Sequence, residues 1–259
     1  MAASRSVLIT GASSGIGAAL ARACATSGAK LHLSGRDADR LEAVASDCRT
    51  LGATVLPRVL DVRDATAMAA WIEGAGRLDL VIANAGVSAG ASEDWLAAPD
   101  RARVIMATNI EGVLNTALPA LGVMAAQAPG ADGWRGRIGV VASIAAFVAA
   151  PGAASYCASK AAADAWTVGT ARTARARGIA MSSICPGYIR TAMTARNHFP
   201  MPGLMDAERA AAIILRGMAA GRVRIAFPWW MALAARLTGL LPPRLAGTLL
   251  ATRSNATDL

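Results

Sequence analysis

Val7-Leu8-Ile9 is a short apolar run, followed directly by Thr10-Gly11-Ala12-Ser13-Ser14-Gly15-Ile16-Gly17 and then by an Ala/Leu/Arg segment of helical period. No other stretch restricts the fold as much. The run reads as a buried strand, the glycines as a tight turn and the segment after them as a helix. In that order the three make an anion site. Glycine lets the backbone approach a pyrophosphate, and the helix N-terminus presents free N–H groups at the positive end of its dipole. The spacing is G-x-x-x-G-x-G, not the commoner G-x-G-x-x-G. Gly11, Ser13, Ser14, Gly15, Ile16 and Gly17 are therefore expected to cradle a dinucleotide.

The rest of the chain repeats the alternation. Strand patterns lie at 30–34, 55–60, 78–83, 138–142, 179–184 and 222–227. Helical patterns lie at 39–51, 65–73 and 93–124, with Pro119 expected to kink the last, and a further helix carries Tyr156 and Lys160 to about residue 177. Strands separated by crossover helices predict a doubly wound Rossmann fold of the α/β class, with a seven-stranded parallel sheet. We expect it to form a single domain over 1–228, followed by an apolar helical C-terminal extension over 229–259. The 259 residues suit that size, and a composition 54% hydrophobic and 17% charged supplies a substantial core. Ligands of such sheets bind beyond the carboxyl ends of the strands, where Gly11, Arg36, Asp61, Asn84, Ser143 and Pro186 would gather.

Two features sharpen the chemistry. The strand at 30–34 ends at Gly35-Arg36, with no acid at the place where a carboxylate would hold the ribose hydroxyls of NAD. Arg36 can instead pair with a 2′-phosphate, which argues for NADP, although Asp37 beside it weakens that pairing. In Ser155-Tyr156-Cys157-Ala158-Ser159-Lys160, Tyr156 and Lys160 stand one helical turn apart on one face. A lysine ammonium favours the phenolate of a neighbouring tyrosine, so the pair can move a proton to or from a substrate oxygen. Lys30 and Lys160 are the only lysines.

Composition excludes other classes. The net charge of +9 comes almost wholly from scattered arginines, with no dense basic run and little aromatic interleaving, so no nucleic acid is expected. Cys24, Cys48, Cys157 and Cys185 are far apart and show no CxxC spacing. His32 and His198 have no ligand partners at metal spacing, and no metal is expected. No signal-peptide pattern precedes the first strand, so a reducing, cytoplasmic setting is expected.

At this point the sequence resembles the classical short-chain dehydrogenase/reductase family. The resemblance is carried by TGASSGIG at 10–17, NAG at 84–86, Asn109, Ser143, Y-x-x-x-K at 156–160, and Pro186-Gly187 with Thr191, over roughly the first 190 residues. It implies that Tyr156 is the general acid or base and that Ser143 hydrogen-bonds the substrate oxygen. It implies that Lys160 holds the nicotinamide ribose and lowers the tyrosine pKa, and that Asn109 fixes a water in a proton relay. By the same resemblance Asp61 and the Val62 backbone contact adenine, and Asn84, Ala85 and Gly86 line the adenosine side. Pro186, Gly187 and Ile189 adjoin the nicotinamide end, and Thr191 binds the carboxamide. The family also implies a homodimer or tetramer, with the helix around 109–127 and the Tyr156 helix at a four-helix interface.

The C-terminal part departs from the family pattern. Where an aspartate and a Gly-Gly pair commonly follow the last strand, Pro228-Trp229-Trp230 stands here, followed by apolar stretches at 231–241 and 245–251. These are too short to span a bilayer. Peripheral membrane contact through 229–251, packing on the domain or substrate pocket, and a dimer interface all stay open. The substrate loop is placed at about 188–205, and Tyr188, Met193, Ala145 and Phe147 are read as apolar walls beside Ser143 and Tyr156. Such walls suit a small hydrophobic carbonyl or alcohol. The expected protein is an NADP-dependent oxidoreductase, with NADPH preferred over NADH. The alternatives are an epimerase or dehydratase on the same scaffold, or a non-enzymatic nucleotide-binding or membrane-associated scaffold protein.

Overall fold

The computed structural model describes residues 5–88, 99–197 and 199–254. Strands β1 (Ser6–Ile9), β2 (Lys30–Gly35), β3 (Thr54–Val59), β4 (Leu80–Ala83), β5 (Gly136–Val141), β6 (Ile179–Pro186) and β9 (Arg224–Phe227) form one parallel seven-stranded sheet in the order β3-β2-β1-β4-β5-β6-β9. Two short strands, β7 (Ile189–Arg190) and β8 (Met205–Asp206), make a separate ladder. The order of strands reverses between β1 and β4, and a crevice opens there at the strands' carboxyl ends. Seven parallel strands and the Rossmann architecture are as the sequence predicts.

The central strands β1 and β4 are apolar on both faces because helices cover both, whereas the edge strand β3 is largely exposed. Along β1, Val7 and Ile9 join a core with Leu31, Leu33, Leu20 of α1 (Gly15–Cys24), Leu41 of α2 (Ala38–Thr50) and Ile214 of α7 (Ala207–Ala219). Leu8 points the other way, into a core with Met68 and Ile72 of α3 (Ala65–Glu73), Met124 of α5 (Gly112–Ala126) and Ala171 of α6 (Ala154–Ala176). The period-2 alternation of a strand thus divides one apolar run between two layers. Helix starts are fixed locally. Asp37 accepts from the Arg40 N–H at 3.0 Å to cap α2, and Asp64 accepts from the Ala67 N–H at 2.9 Å to cap α3.

Two features differ from the sequence reading, the place of the irregularity before α5 and helix α7. The helix expected over 93–124 is described from α4 (Pro99–Met106) onward, and residues 93–98 lie outside the described residues, as do His198 and 255–259. Its irregularity falls in a π-turn at Ala107–Glu111, while Pro119 lies inside α5. Helix α7 was not foreseen, because the stretch after the substrate loop reads as alanine-rich without a boundary signal. It packs along α1, and Gly217 lets it lie close to β9, since a Cβ there would stand 2.7 Å from Ile225 Cδ1. The apolar tail forms α8 (Trp229–Gly239) and α9 (Pro243–Ser254).

His32 is buried on β2, and its Nε2 has no hydrogen-bond partner among the described residues. Burial lowers its pKa from 6.5 to about 4, with the Lys30 charge acting the same way. The unfolded chain therefore binds a proton between pH 6.5 and 4 that the folded chain refuses, so stability is lost as the pH falls through that window. We expect His32→Leu to flatten the pH dependence of the unfolding free energy there, measured in urea, by an amount on the order of 2 kcal/mol relative to the parent.

Candidate active site

The crevice is a cleft of about 620 Å³. Its floor is the turn between β1 and α1. Gly11 and Gly15 have φ of 65° and 55°, in the left-handed region that glycine occupies without strain. A Cβ on Gly17 would overlap the Gly11 carbonyl oxygen and lie 2.5 Å from Asn84 Nδ2. Asn84, just after β4, donates through Nδ2 to the carbonyls of Thr10 and Gly11, both at 3.0 Å. Thr10 Oγ1 accepts from the backbone N–H groups of Asn84 (3.1 Å) and Ala85 (3.3 Å), closing the clamp. Ser14 precedes α1 without a side-chain cap, and no acid lies in the helix's first turn. The N-terminal amides of α1 are thus left for an anion.

On the opposite wall, Ser143 follows β5 and Tyr156 and Lys160 lie in the first two turns of α6. The Ser143 hydroxyl is within hydrogen-bonding reach of the Tyr156 hydroxyl and also accepts from the Ala145 N–H at 3.1 Å. Lys160 Nζ donates to the Val141 carbonyl at 2.7 Å and stands 5.8 Å from the Tyr156 ring centroid. Gly86 leaves room for it, since a Cβ there would be 3.3 Å from Nζ. Burial lowers the Lys160 pKa to about 8. Burial also raises that of Tyr156, and the Ser143 hydrogen bond offsets this only in part. Desolvation is the largest effect on the phenol, and the Lys160 ammonium is held by the Val141 carbonyl.

Asn109 sits in the π-turn, fully buried. Its Nδ2 donates to the Val87 carbonyl and to Ser159 Oγ, both at 3.0 Å, and its Oδ1 accepts from the Val87 N–H at 2.9 Å. Ser159 Oγ in turn donates to the Tyr156 carbonyl at 2.8 Å. The side chain thus ties α6 to the segment after β4 and does not line the cleft.

At the far end of the cleft Arg36 is exposed after β2, and Arg40, one turn into α2, lines the same wall. Asp37 lines the same wall, where it caps α2 and accepts from Arg40 Nε at 2.8 Å. Arg40 was missed by the sequence reading, although its place four residues after Arg36 is a legible signal. Arg63 was missed as well. Its guanidinium hydrogen-bonds both oxygens of Asp61 and holds that carboxyl below its usual range. Val62 is buried, and its carbonyl accepts from Asn115 Nδ2 at 2.9 Å. Thr108 also lines the cleft, and its buried Oγ1 has no partner among the described residues.

At the other end, Pro186, Gly187, Ile189, Thr191 and Met193 line the cleft. Three residues read as substrate walls do not. Tyr188 packs edge-on against Phe199 at 5.9 Å, and Ala145 is held in the turn after Ser143. Phe147 lies between two guanidinium groups, with Arg224 5.6 Å and Arg236 4.7 Å from its ring centroid. It anchors α8 instead of facing a substrate. Arg224 also pairs with the buried Asp164 of α6, Nη2 to Oδ2 at 2.6 Å. Asp164 stands one turn beyond Lys160 on the same helix, so this network links α6, β9 and the turn after Ser143.

A dinucleotide fits these residues. The clamped glycine turn excludes side chains where phosphate would lie, the α1 amides are uncapped, and two arginines flank the adenosine end. The orphaned Thr108 hydroxyl is a further polar group on the wall.

Residues 5–199 match the model of the family described as short chain dehydrogenase. The chain is 35% identical over 243 residues to an uncharacterized oxidoreductase from Myxococcus xanthus, covering 92% of this chain and 93% of that one. A short-chain dehydrogenase from Sphingobium yanoikuyae, solved in complex with NADPH, superposes with a TM-score of 0.75 at 25% identity, covering 91% of this chain and 94% of that chain. The 3-oxoacyl-[acyl-carrier protein] reductase from Brucella melitensis, solved in complex with NAD, superposes with a TM-score of 0.78 at 26% identity, covering 90% and 99%.

Burial by itself would raise the Asp164 pKa, but hydrogen bonds from Arg224 and Ser183 outweigh it and hold the carboxyl ionised. Asp164→Ala should leave Arg224 without its partner and destabilise the protein by about 2–4 kcal/mol in urea unfolding. Arg224→Met/Asp164→Leu together should recover part of that loss.

Proposed function

The chain belongs to the short chain dehydrogenase family of oxidoreductases, and from that premise we propose that it interconverts a hydrophobic ketone or aldehyde and its alcohol with NADP(H). The observation that carries this reading is the meeting of Ser143, Tyr156 and Lys160 in one cleft with the uncapped glycine turn. When bound, the nicotinamide supplies or takes up the hydride. Ser143 Oγ and Tyr156 Oη would bind the carbonyl oxygen together and polarise it. Burial keeps the phenol neutral near pH 7, the form that donates, so Tyr156 gives its proton to the oxygen as the carbon is reduced. The Lys160 ammonium then stabilises the phenolate and bonds the ribose hydroxyls. Asn109 acts as a positioning residue through Ser159 and Val87, and any water it orders would use its backbone, since its side-chain donors are engaged.

Two guanidinium groups, Arg36 and Arg40, support NADP, because a 2′-phosphate would meet both, with Asp37 bonded to Arg40 through Nε. An apolar substrate is supported by Met193 in the cleft wall and by Arg190, whose Nε is paired with Asp206 at 2.8 Å and so is not offered to a substrate carboxylate. The Arg196 side chain lies outside the described residues. Exposed Val104 and Leu118 on α4 and α5 support a homo-oligomer through that side. The four cysteines, none of them in a disulfide, suit the reducing, cytoplasmic setting we assign to it.

The test is oxidation of NADPH against aldehydes and ketones graded from short and polar to long and apolar, with NADH in parallel. We expect turnover to rise toward the apolar end with NADPH preferred. Arg36→Asp/Arg40→Ala should move the NADPH/NADH ratio of kcat/KM by about tenfold or more toward NADH. A wild-type preference for NADH would contradict the assignment of Arg36.

A further inference from the structure

Helices α8 and α9 lie at the rim of this domain with one face bound and one face open. On the bound side Ala232 is buried, Met231 packs where a Gly187 Cβ would stand 2.9 Å from its sulfur, and the Trp230 ring lies 2.9 Å from the Cβ position of Gly203. Arg236 lies over Phe147. The helix is thus fastened to the cleft wall at Gly187 and to the 188–205 loop at Gly203. On the open side Trp229, Leu233 and Leu237 recur at i, i+4 and i+8, with exposures of 73%, 50% and 56%. Leu240, Leu241 and Leu245 continue this surface across the α8–α9 turn. Soluble domains rarely leave so many large apolar side chains contiguous and exposed.

We infer that this outer face of α8 and α9 docks on an anionic lipid surface. The charge decides between lipid and a second copy of the chain. From Arg209 to Arg253 the sequence holds seven arginines, and no Asp or Glu occurs between Glu208 and Asp258. Arg244, at the start of α9 between Leu241 and Leu245, is exposed. A two-fold contact would set these arginines near their own copies with no carboxylate of the segment to answer them. Lipid phosphates answer them, and Trp at the helix start suits the headgroup boundary. With 11 and 12 residues, neither helix can span a bilayer, so the contact is in-plane. The one described helical stretch long and apolar enough to span, 100–126, instead packs on β4, β5 and α3. Because the 188–205 loop adjoins both Trp230 and the cleft, docking sets the cleft's rim beside the lipid.

The test is flotation of the full chain with vesicles of phosphatidylcholine alone or mixed with phosphatidylglycerol. We expect it to float with the mixed vesicles, to be released by salt, and to bind phosphatidylcholine at least about tenfold more weakly. Trp229→Ser/Leu233→Ser/Leu237→Ser and, separately, Arg244→Glu should each weaken mixed-vesicle binding at least about tenfold while NADPH binding is kept. If the serine variant loses NADPH binding, the Arg244 variant and the salt titration decide. The inference is overturned if the wild type does not float, or if both variants float as it does. It is equally overturned if the wild type is a dimer that the serine variant splits and neither binds vesicles, in which case the face is a contact between copies.

Discussion

The carbonyl of Gly11 occupies the space where a Cβ of Gly17 would be, and Asn84 holds that carbonyl in place. Everything the cleft does depends on this contact. It brings the start of α1 down onto the end of β1 and turns the helix amides toward the crevice. It also joins the first half of the sheet to β4, since the amide that fixes the turn comes from beyond β4. Phosphate recognition and the junction of the two halves are therefore one structure, and a side chain at Gly17 would disturb both.

The catalytic wall is held just as firmly, by groups that do not touch a ligand. Asn109 fastens α6 through Ser159, and Asp164 fastens it through Arg224 and Ser183. Arg224 in turn lies over Phe147, and Arg236 of α8 lies on it as well. The position of Ser143 thus depends on a chain of contacts running from the catalytic helix through β9 to the C-terminal helices. That chain gives the apolar tail a structural connection to the reacting groups.

Much of this was legible in the sequence. The seven strands, the glycine turn and the Ser143, Tyr156 and Lys160 set are all read from local patterns, because apolar runs, glycine spacing and helical period are local. What escaped was non-local. Arg63 on Asp61 and Arg224 on Asp164 are pairings between residues chosen by the fold, and Arg40 enters the cleft only because α2 begins where it does. Phe147 was misread for the same reason: its neighbours, Arg224 and Arg236, lie far along the chain. The direction of the Tyr156 shift was also beyond the sequence, since spacing shows that a lysine is near but not how deeply the phenol is buried.

The account turns on Tyr156 as proton donor in a cleft whose nucleotide is held mainly by other residues. The most direct measurement is NADPH affinity, by fluorescence titration, alongside turnover of the best carbonyl substrate in Tyr156→Phe. The account predicts affinity within about threefold of wild type and turnover lower by a factor on the order of 10² to 10⁴. Turnover within a few-fold of wild type, with NADPH still bound, would contradict it.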